Sequence, residues 1–360
     1  MIPFRKIGLF LVAMLAFTAC GQIDDDLSDC EVTPGPGPEP ELEANFQINV
    51  ITNVKTNEVE AELSTVDKEV ADAIREYLKD IFAEYAHDID LSFYNTEGDS
   101  SRLYHESHIM DARERAYKMH LPVRDYMHAS MANIEDNPLV ASVGVERNHT
   151  LALNQVKKDT IDSHNTGLFT GRLPMHLVAN QSQTFDVNLY MANCSSALVV
   201  DSTSVKISNM RAFATGFATD FQIADSAFVY PAKSPMVKSD MLSVSGNTKE
   251  LVFCNVNFPS KNPYSWLHVG SASTRNDVIV QESDPLEGIS IWRYVALVTL
   301  PGGSVTRSDI WVKEPLLAGE LKIIKGYLDG QGGVHTDSEA VVGVSITIDW
   351  KPGAQFNPVF

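Results

Sequence analysis

Alternation of apolar and polar residues with a period of two dominates the chain. It is clearest at Ile89/Leu91/Phe93, Tyr117/Met119/Leu121, Phe185/Val187/Leu189/Met191, Leu251/Phe253 and Val342/Val344/Ile346/Ile348/Trp350. This period places successive side chains on opposite faces of a half-buried strand. Ile289 to Leu300 is apolar on nearly both faces, which predicts a central strand. Glycine-rich turns fall between the runs, among them Glu97-Gly98-Asp99, Ser245-Gly246-Asn247, Pro301-Gly302-Gly303 and Asp329-Gly330-Gln331-Gly332-Gly333. One segment changes period: Val66, Val70, Ala73, Ile74, Tyr77, Leu78, Ile81, Phe82 and Tyr85 recur at steps of three and four. The spacing predicts a helix over about 66–86, with Ser64 and Asp67 spaced like a capping box and the apolar stripe packed on the protein's own sheet.

Many short strands with tight turns predict sandwiches, and the structured length exceeds one sandwich of roughly 100 residues. A polar stretch, Ala179-Asn180-Gln181-Ser182-Gln183, marks the join. The expected organisation is an N-terminal β-sandwich over 44–180, carrying the helix, and a C-terminal one over 181–360. The segment 20–43 precedes both as a tether. Its Pro34-Gly35-Pro36-Gly37-Pro38-Glu39-Pro40 core excludes helix and central strand, because proline fixes φ and lacks the N–H donor.

Residues 1–19 read as a secretory signal: Arg5 and Lys6, then an apolar run from Ile7 to Phe17, then Thr18-Ala19 before Cys20. The run is shorter than the roughly 18 to 20 residues needed to span a bilayer, and no later segment reaches that length without charges. Small residues directly before a cysteine resemble the bacterial lipobox, although Phe17 stands where leucine is usual. Cys20 is then the lipidation site, and its acyl chains hold the mature protein on the outer membrane. The following Gln22-Ile23-Asp24-Asp25-Asp26 resembles the acidic export tag of Bacteroidales surface lipoproteins, which implies exposure on the cell exterior; a solvated acidic spacer is the alternative.

Charge narrows the partners. The 28 lysines and arginines against 47 aspartates and glutamates leave −19, which repels a phosphate backbone and excludes nucleic acid as a natural partner. No catalytic template fits. His105-Glu106-Ser107-His108 has only two residues between its histidines, and in an extended segment the two point to opposite faces. Asp88 and Asp90 share one strand face, where solvation is the simpler reading than calcium. No nucleophile elbow, P-loop or dinucleotide fingerprint occurs, so neither enzyme activity nor a cofactor is expected. With Cys20 lipidated, Cys30, Cys194 and Cys254 remain. Cys194 and Cys254 could pair, but buried free thiols are the favoured reading.

Several runs, in this order, resemble the fimbrial anchor and minor-fimbrium accessory lipoprotein family of the Bacteroidales, within the fimbrillin superfamily: Leu27-Ser28-Asp29-Cys30, Asp88 to Tyr94, Leu121 to His128, Gly167 to Pro174 and Val344 to Trp350. The resemblance implies two tandem transthyretin-like sandwiches, a non-enzymatic role in adhesion and pilus assembly, and fimbrial shaft or accessory subunits as partners. In that superfamily subunits join by donor-strand exchange, and shaft subunits are trimmed at an arginine. The tether suits an untrimmed anchor, while Arg172 and Arg211 leave trimming open. The rival reading is a glycan-binding surface lipoprotein of a nutrient-uptake system, with Trp266, Trp292, Trp311 and Trp350 as stacking candidates.

Overall fold

The computed structural model describes residues 41–51, 56–83, 86–97, 102–109, 116–134, 140–144, 151–155, 157–223, 226–246, 249–261, 291–338 and 340–349. The signal, Cys20, Cys30, Trp266 and Trp350 lie outside them. The chain is mainly β, as the alternation predicts. Its first strand β1 (Glu41–Ile51) is followed by helices α1 (Thr56–Leu63) and α2 (Lys68–Leu78), then by β2 (Asp88–Asn95), β3 (Arg102–Ile109), β4 (Ala116–Pro122), β5 (Asp125–Ala132), β6 (Val140–Gly144), β7 (Leu151–Gln155), β8 (Thr160–Ile161), β9 (Phe169–His176) and β10 (Gln183–Met191). The second half contains β11 (Cys194–Asp201), β12 (Asn209–Thr215), β13 (Asp220–Gln222), β14 (Ala227–Val229), β15 (Met236–Lys238), β16 (Asp240–Leu242), β17 (Glu250–Asn257), β18 (Trp292–Thr299), β19 (Val305–Val312), β20 (Leu321–Leu328), β21 (Val334–His335) and β22 (Val341–Asp349).

Four sheets result. A seven-stranded sheet runs β3-β2-β5-β9-β10-β1-β4. Its apolar face is concave, and Phe46, Ile89, Leu91, Phe93, Leu121, Tyr126, Val187 and Leu189 fill it as one core. Phe46 on β1 stacks on Tyr117 of β4 at 4.6 Å and meets Phe93 of β2 edge-on at 5.7 Å, so the curled sheet closes on its own aromatic residues. Strand β1, directly after the proline tether, is interior: it pairs parallel with β10 and antiparallel with β4. It begins at Glu41, slightly before the tether was expected to end.

The second body is a sandwich. A five-stranded sheet, β16-β17-β11-β20-β21, faces a six-stranded sheet, β22-β19-β18-β12-β15-β8. Leu198, Val200, Ile324 and Leu328 of the first meet Ala212, Trp292, Tyr294, Val298 and Ile310 of the second. Strand β18 is central, between β12 and β19, as its two apolar faces predict. A four-stranded sheet, β14-β13-β7-β6, joins segments from both halves of the chain. Its Phe221 and Phe228 pack with Tyr94, Met131 and Phe258.

The helical segment departs from expectation in three ways. A separate helix, α1, precedes it; its stripe amounts to little more than Val59 and Leu63, too weak to read from the pattern. Ser64 and Thr65 do not cap the second helix. Their hydroxyls donate back to the Ala61 and Glu62 carbonyls and close the first one. Asp67 stands at the N-cap of α2 without a side-chain bond, and that helix ends at Leu78. The stripe also packs elsewhere than the curled sheet: Leu63, Val70, Ile74 and Leu78 cover Ala197, Val199, Val252 and Ile323 of the five-stranded sheet. Periodicity reveals a buried face but not which sheet buries it.

Candidate functional site

Among the described residues, the five-stranded sheet is only partly paired along the outer side of β20. In the parallel pair of β20 with β11, Ser195 lies opposite Leu321 and donates its N–H to the Glu320 carbonyl at 2.9 Å. Strand parity therefore turns the backbone groups of Lys322, Ile324 and Gly326 toward β11 and those of Leu321, Ile323 and Lys325 away from it. On that outer side β21 pairs only at Tyr327 and Leu328. Three successive outward residues thus face no strand among the described residues. Buried backbone donors need a partner, and the one given to Ile323 is a side chain: its N–H donates to Glu62 Oε2 at 2.9 Å.

Glu62 reaches this margin from the last turn of α1. Its other oxygen holds Lys322 Nζ at 3.0 Å, and Lys322 also holds Glu314 at 2.7 Å. Partial burial works against the lysine charge, but the hydrogen bonds of Glu314 and Glu62 outweigh it and raise its pKa. The three residues bridge a furrow along the margin and divide it into hollows of about 310 and 570 Å³. Lys325 donates to the Thr65 carbonyl at 2.9 Å and lines the larger hollow with Ile323 and Tyr327. Leu321 and Ile323 of this row are buried in one cluster with Leu63 of α1, and only Lys325 is exposed, so the margin is a covered one between apolar and charged walls.

No catalytic constellation forms among the described residues. The histidines with the largest shifts, His128 and His164, are wholly buried, and burial depresses both to about 4. His128 Nδ1 faces the Ser92 carbonyl, which fixes it as the donor and leaves Nε2 to accept from Ser130 and Tyr117. It is a core group. The Cys194 and Cys254 thiols are free and buried, as favoured from the sequence. They stand opposite Asn257 and Ala197 in the β11–β17 register and point into different cores. Burial pushes Cys254 up to about 12 and Cys194 well above its usual value, so neither is a nucleophile at neutral pH.

The remaining sequence candidates fall out as follows. Asp88 and Asp90 are not solvated: Asp88 Oδ1 accepts the Ile134 N–H at 3.0 Å, and Asp90 Oδ2 lies 2.7 Å from His105 Nε2 and 3.1 Å from Ser107 Oγ. The β2–β3 register sets His105 opposite Ser92 and His108 opposite Ile89, hence on different faces. No group of three metal-ligating residues occurs among the described residues. Of the tryptophans, Trp292 is core, and Trp311 is half-buried under the Arg293 guanidinium, 4.5 Å from its ring centre. Neither offers a free stacking platform. Arg172 and Arg211, though exposed, sit within strands, opposite Ala129 and Leu297, where a protease would have to unzip the ladder first. The margin at β20 is what sequence reading missed. Leu321 to Leu328 reads as an ordinary strand, and only the topology shows that one side of it is unpaired.

No family model matches the chain, and no curated protein matches it. Solved structures do. The fimbrial anchor protein Mfa2 from Porphyromonas gingivalis is 11% identical, covering 85% of this chain and 97% of its own, with a TM-score of 0.46. A candidate adhesin from Bacteroides ovatus is 10% identical over 76% of this chain and 83% of its own, at 0.47. A fimbrial assembly protein from Parabacteroides distasonis is 11% identical over 86% and 100%, at 0.33.

Proposed function

We propose that this protein is a non-enzymatic surface lipoprotein that anchors or supplements a fimbria, held to the outer membrane through Cys20 and joined to its neighbour by strand addition. One observation supports the strand-addition step: among the described residues no strand pairs with the outer side of β20 at Leu321, Ile323 and Lys325, and a carboxylate occupies the place of a strand carbonyl at Ile323 N–H. The occupant is an extended terminal segment of a fibre subunit. Its carbonyls replace Glu62, and its alternate side chains enter the hollows on either side of the Glu62–Lys322–Glu314 bridge. Affinity comes from backbone hydrogen bonds and register from the hollows.

The sequence features support the remaining parts. A lipobox-like cysteine followed by a proline-rich tether supports attachment through Cys20, ahead of the first described strand at Glu41. Two arginines held within ladders suit a chain that is kept whole. The test is made in the cell that produces the protein. In Cys20→Ala, fibres are shed into the medium while the folded protein persists. A photocrosslinking residue at Lys325 captures the fibre subunit, whereas one at Lys118 on β4 does not. Fibres retained by Cys20→Ala, or equal capture at both positions, refute the proposal.

A further inference from the structure

We infer that a second surface, the cleft between β8, β13, β14 and β15, is a binding site for an acidic saccharide bearing carboxylate or sulfate groups. The cleft encloses about 580 Å³ and is lined by Lys157, Lys158 and Lys233 together with Val229, Pro231 and Pro235. That volume lies within the range of small-ligand sites. In a chain of net charge −19, the three lysines of the lining outnumber its two aspartates, Asp159 and Asp220, and leave a local positive excess. Lys233 is engaged by Asp159 at 3.4 Å, and the other carboxylate of the lining, Asp220, accepts the Thr219 hydroxyl at 2.9 Å. Lys157 and Lys158 have no ion pair with any described residue, and both are exposed. Two uncompensated lysines side by side repel each other, and an anion bound between them relieves the repulsion.

The walls are fixed. Met236 donates its N–H to the Asp159 carbonyl at 2.8 Å, which holds the Lys157-Lys158-Asp159 segment along β15. The Ser234 hydroxyl donates to the Phe217 carbonyl at 2.9 Å, and Thr219 N–H to the Val229 carbonyl at 3.0 Å. Both hydroxyls keep lone pairs that accept from sugar hydroxyls. The exposed side chain of Val229 and the rings of Pro231 and Pro235 offer an apolar surface suited to the C–H face of a pyranose. Cations beside such a surface match a charged sugar better than a free inorganic anion, which has no apolar face, or a neutral sugar, which has no use for the cations.

Calorimetry on the mature chain tests this, with a sulfated heparin tetrasaccharide, a uronate-only tetrasaccharide, a neutral cello-oligosaccharide and inorganic sulfate as probes. At least one acidic oligosaccharide binds, and the affinity falls as salt rises. The double variant Lys157→Ala/Lys158→Ala weakens that binding about tenfold or more, while Lys118→Ala, on the curled sheet, leaves it unchanged. Both variants keep the parent melting temperature, since the cleft lysines are exposed. A sulfate preference points to a sulfated host-type glycan and a uronate preference to a carboxylated polymer, and either supports the assignment. Equal binding of the neutral probe, equal binding of inorganic sulfate, affinity indifferent to the double variant, or no binding of either acidic probe overturns it. Fibre shedding by Cys20→Ala is a separate readout, so the two proposals fail independently.

Discussion

Glu62 and Ile323 meet across most of the chain: the carboxylate at the end of α1 accepts the backbone N–H of β20 at 2.9 Å. A strand edge buried beneath a helix must satisfy its donors or pay several kcal/mol for each. Here the bond is supplied by a side chain instead of a neighbouring strand, so the donor is satisfied without strand pairing. The same carboxylate neutralises Lys322, whose second partner, Glu314, stays in place when Glu62 leaves.

Glu62→Ala therefore has two opposed effects. The free protein loses about 1–3 kcal/mol, because Ile323 N–H and one lysine contact are abandoned in a half-buried setting. The Ile323 amide exchanges its hydrogen faster, and, on the proposed strand addition, a strand peptide from the fibre subunit binds more tightly because no carboxylate has to be displaced. Urea denaturation, hydrogen exchange and peptide titration check the three parts. Tighter binding without loss of stability would mean that the glutamate obstructs the margin without capping it.

How far the sequence foretells this arrangement depends on which forces act locally. A strand such as Phe185 to Met191 is legible because burial of one face imposes period two wherever the strand lies, and Ile89 to Phe93 because its other, largely buried face carries the polar Asp88, Asp90 and Ser92. The central position of β18 is legible for the same reason, since Trp292, Tyr294, Val295 and Val298 are buried on both faces. Pairing partners are another matter. That β1 lies between β10 and β4, or that Leu63 and Ile74 cover Val199, is decided by contacts far away in the chain, to which periodicity is blind. The open side of β20 is the extreme case, because it is defined by a missing neighbour. The lysine pair at 157 and 158 was present in the sequence, but only the fold brings Lys233 and the two prolines to it.

The two buried histidines set an acid limit on stability. His128 and His164 have folded pKa values lowered to about 4 from 6.5 by burial, so the unfolded chain takes up protons first as pH falls. A depressed folded pKa gives stability that is complete above pH 6.5 and lost as pH falls toward 4. Each histidine removes up to about 3 kcal/mol over that window. Urea midpoints measured from pH 7 to pH 4 should drop with a slope approaching two protons. His128→Gln should remove one of them, because its amide can still donate to Ser92 and carries no titrating group.

The core of the second body is held by a polar cluster as well as by apolar contact. Tyr294 donates to Ser196 at 2.8 Å, and Asn255 donates to Ser239 at 2.9 Å and to Tyr294 at 3.1 Å, all of them buried. Tyr294→Phe removes one hydroxyl but leaves intact the bond that the Ser196 hydroxyl already donates to Asn255 Oδ1 at 3.2 Å, so about 1 kcal/mol is lost. Asn255→Ala strips partners from Ser239, Tyr294, Ser196 and Asn257 together and should cost about 2–4 kcal/mol. Denaturant melts of the two single variants and the double variant test the coupling. A double-variant loss equal to the sum of the singles would show that the hydrogen bonds act independently.

The thiols report on the same interior. Cys194 and Cys254 are protonated and wholly buried at neutral pH, so iodoacetamide at pH 8 should leave both unmodified in the native chain lacking residues 1–40, and should alkylate both in guanidinium. Their raised folded pKa values have an alkaline consequence. Unfolded thiols ionise near pH 8.5 while the folded ones do not, so stability holds below that pH and declines above it as the unfolded form releases protons the native form keeps. In Cys194→Ala/Cys254→Ala the decline between about pH 8.5 and 10 should vanish, at the cost of two small cavities, while the buried tyrosines Tyr77, Tyr117, Tyr230 and Tyr294 keep the loss above that. Rapid alkylation of the native chain, or recovery of a 194–254 disulfide after oxidation without unfolding, would contradict a structure that directs the two sulfurs into separate cores on opposite faces of one sheet.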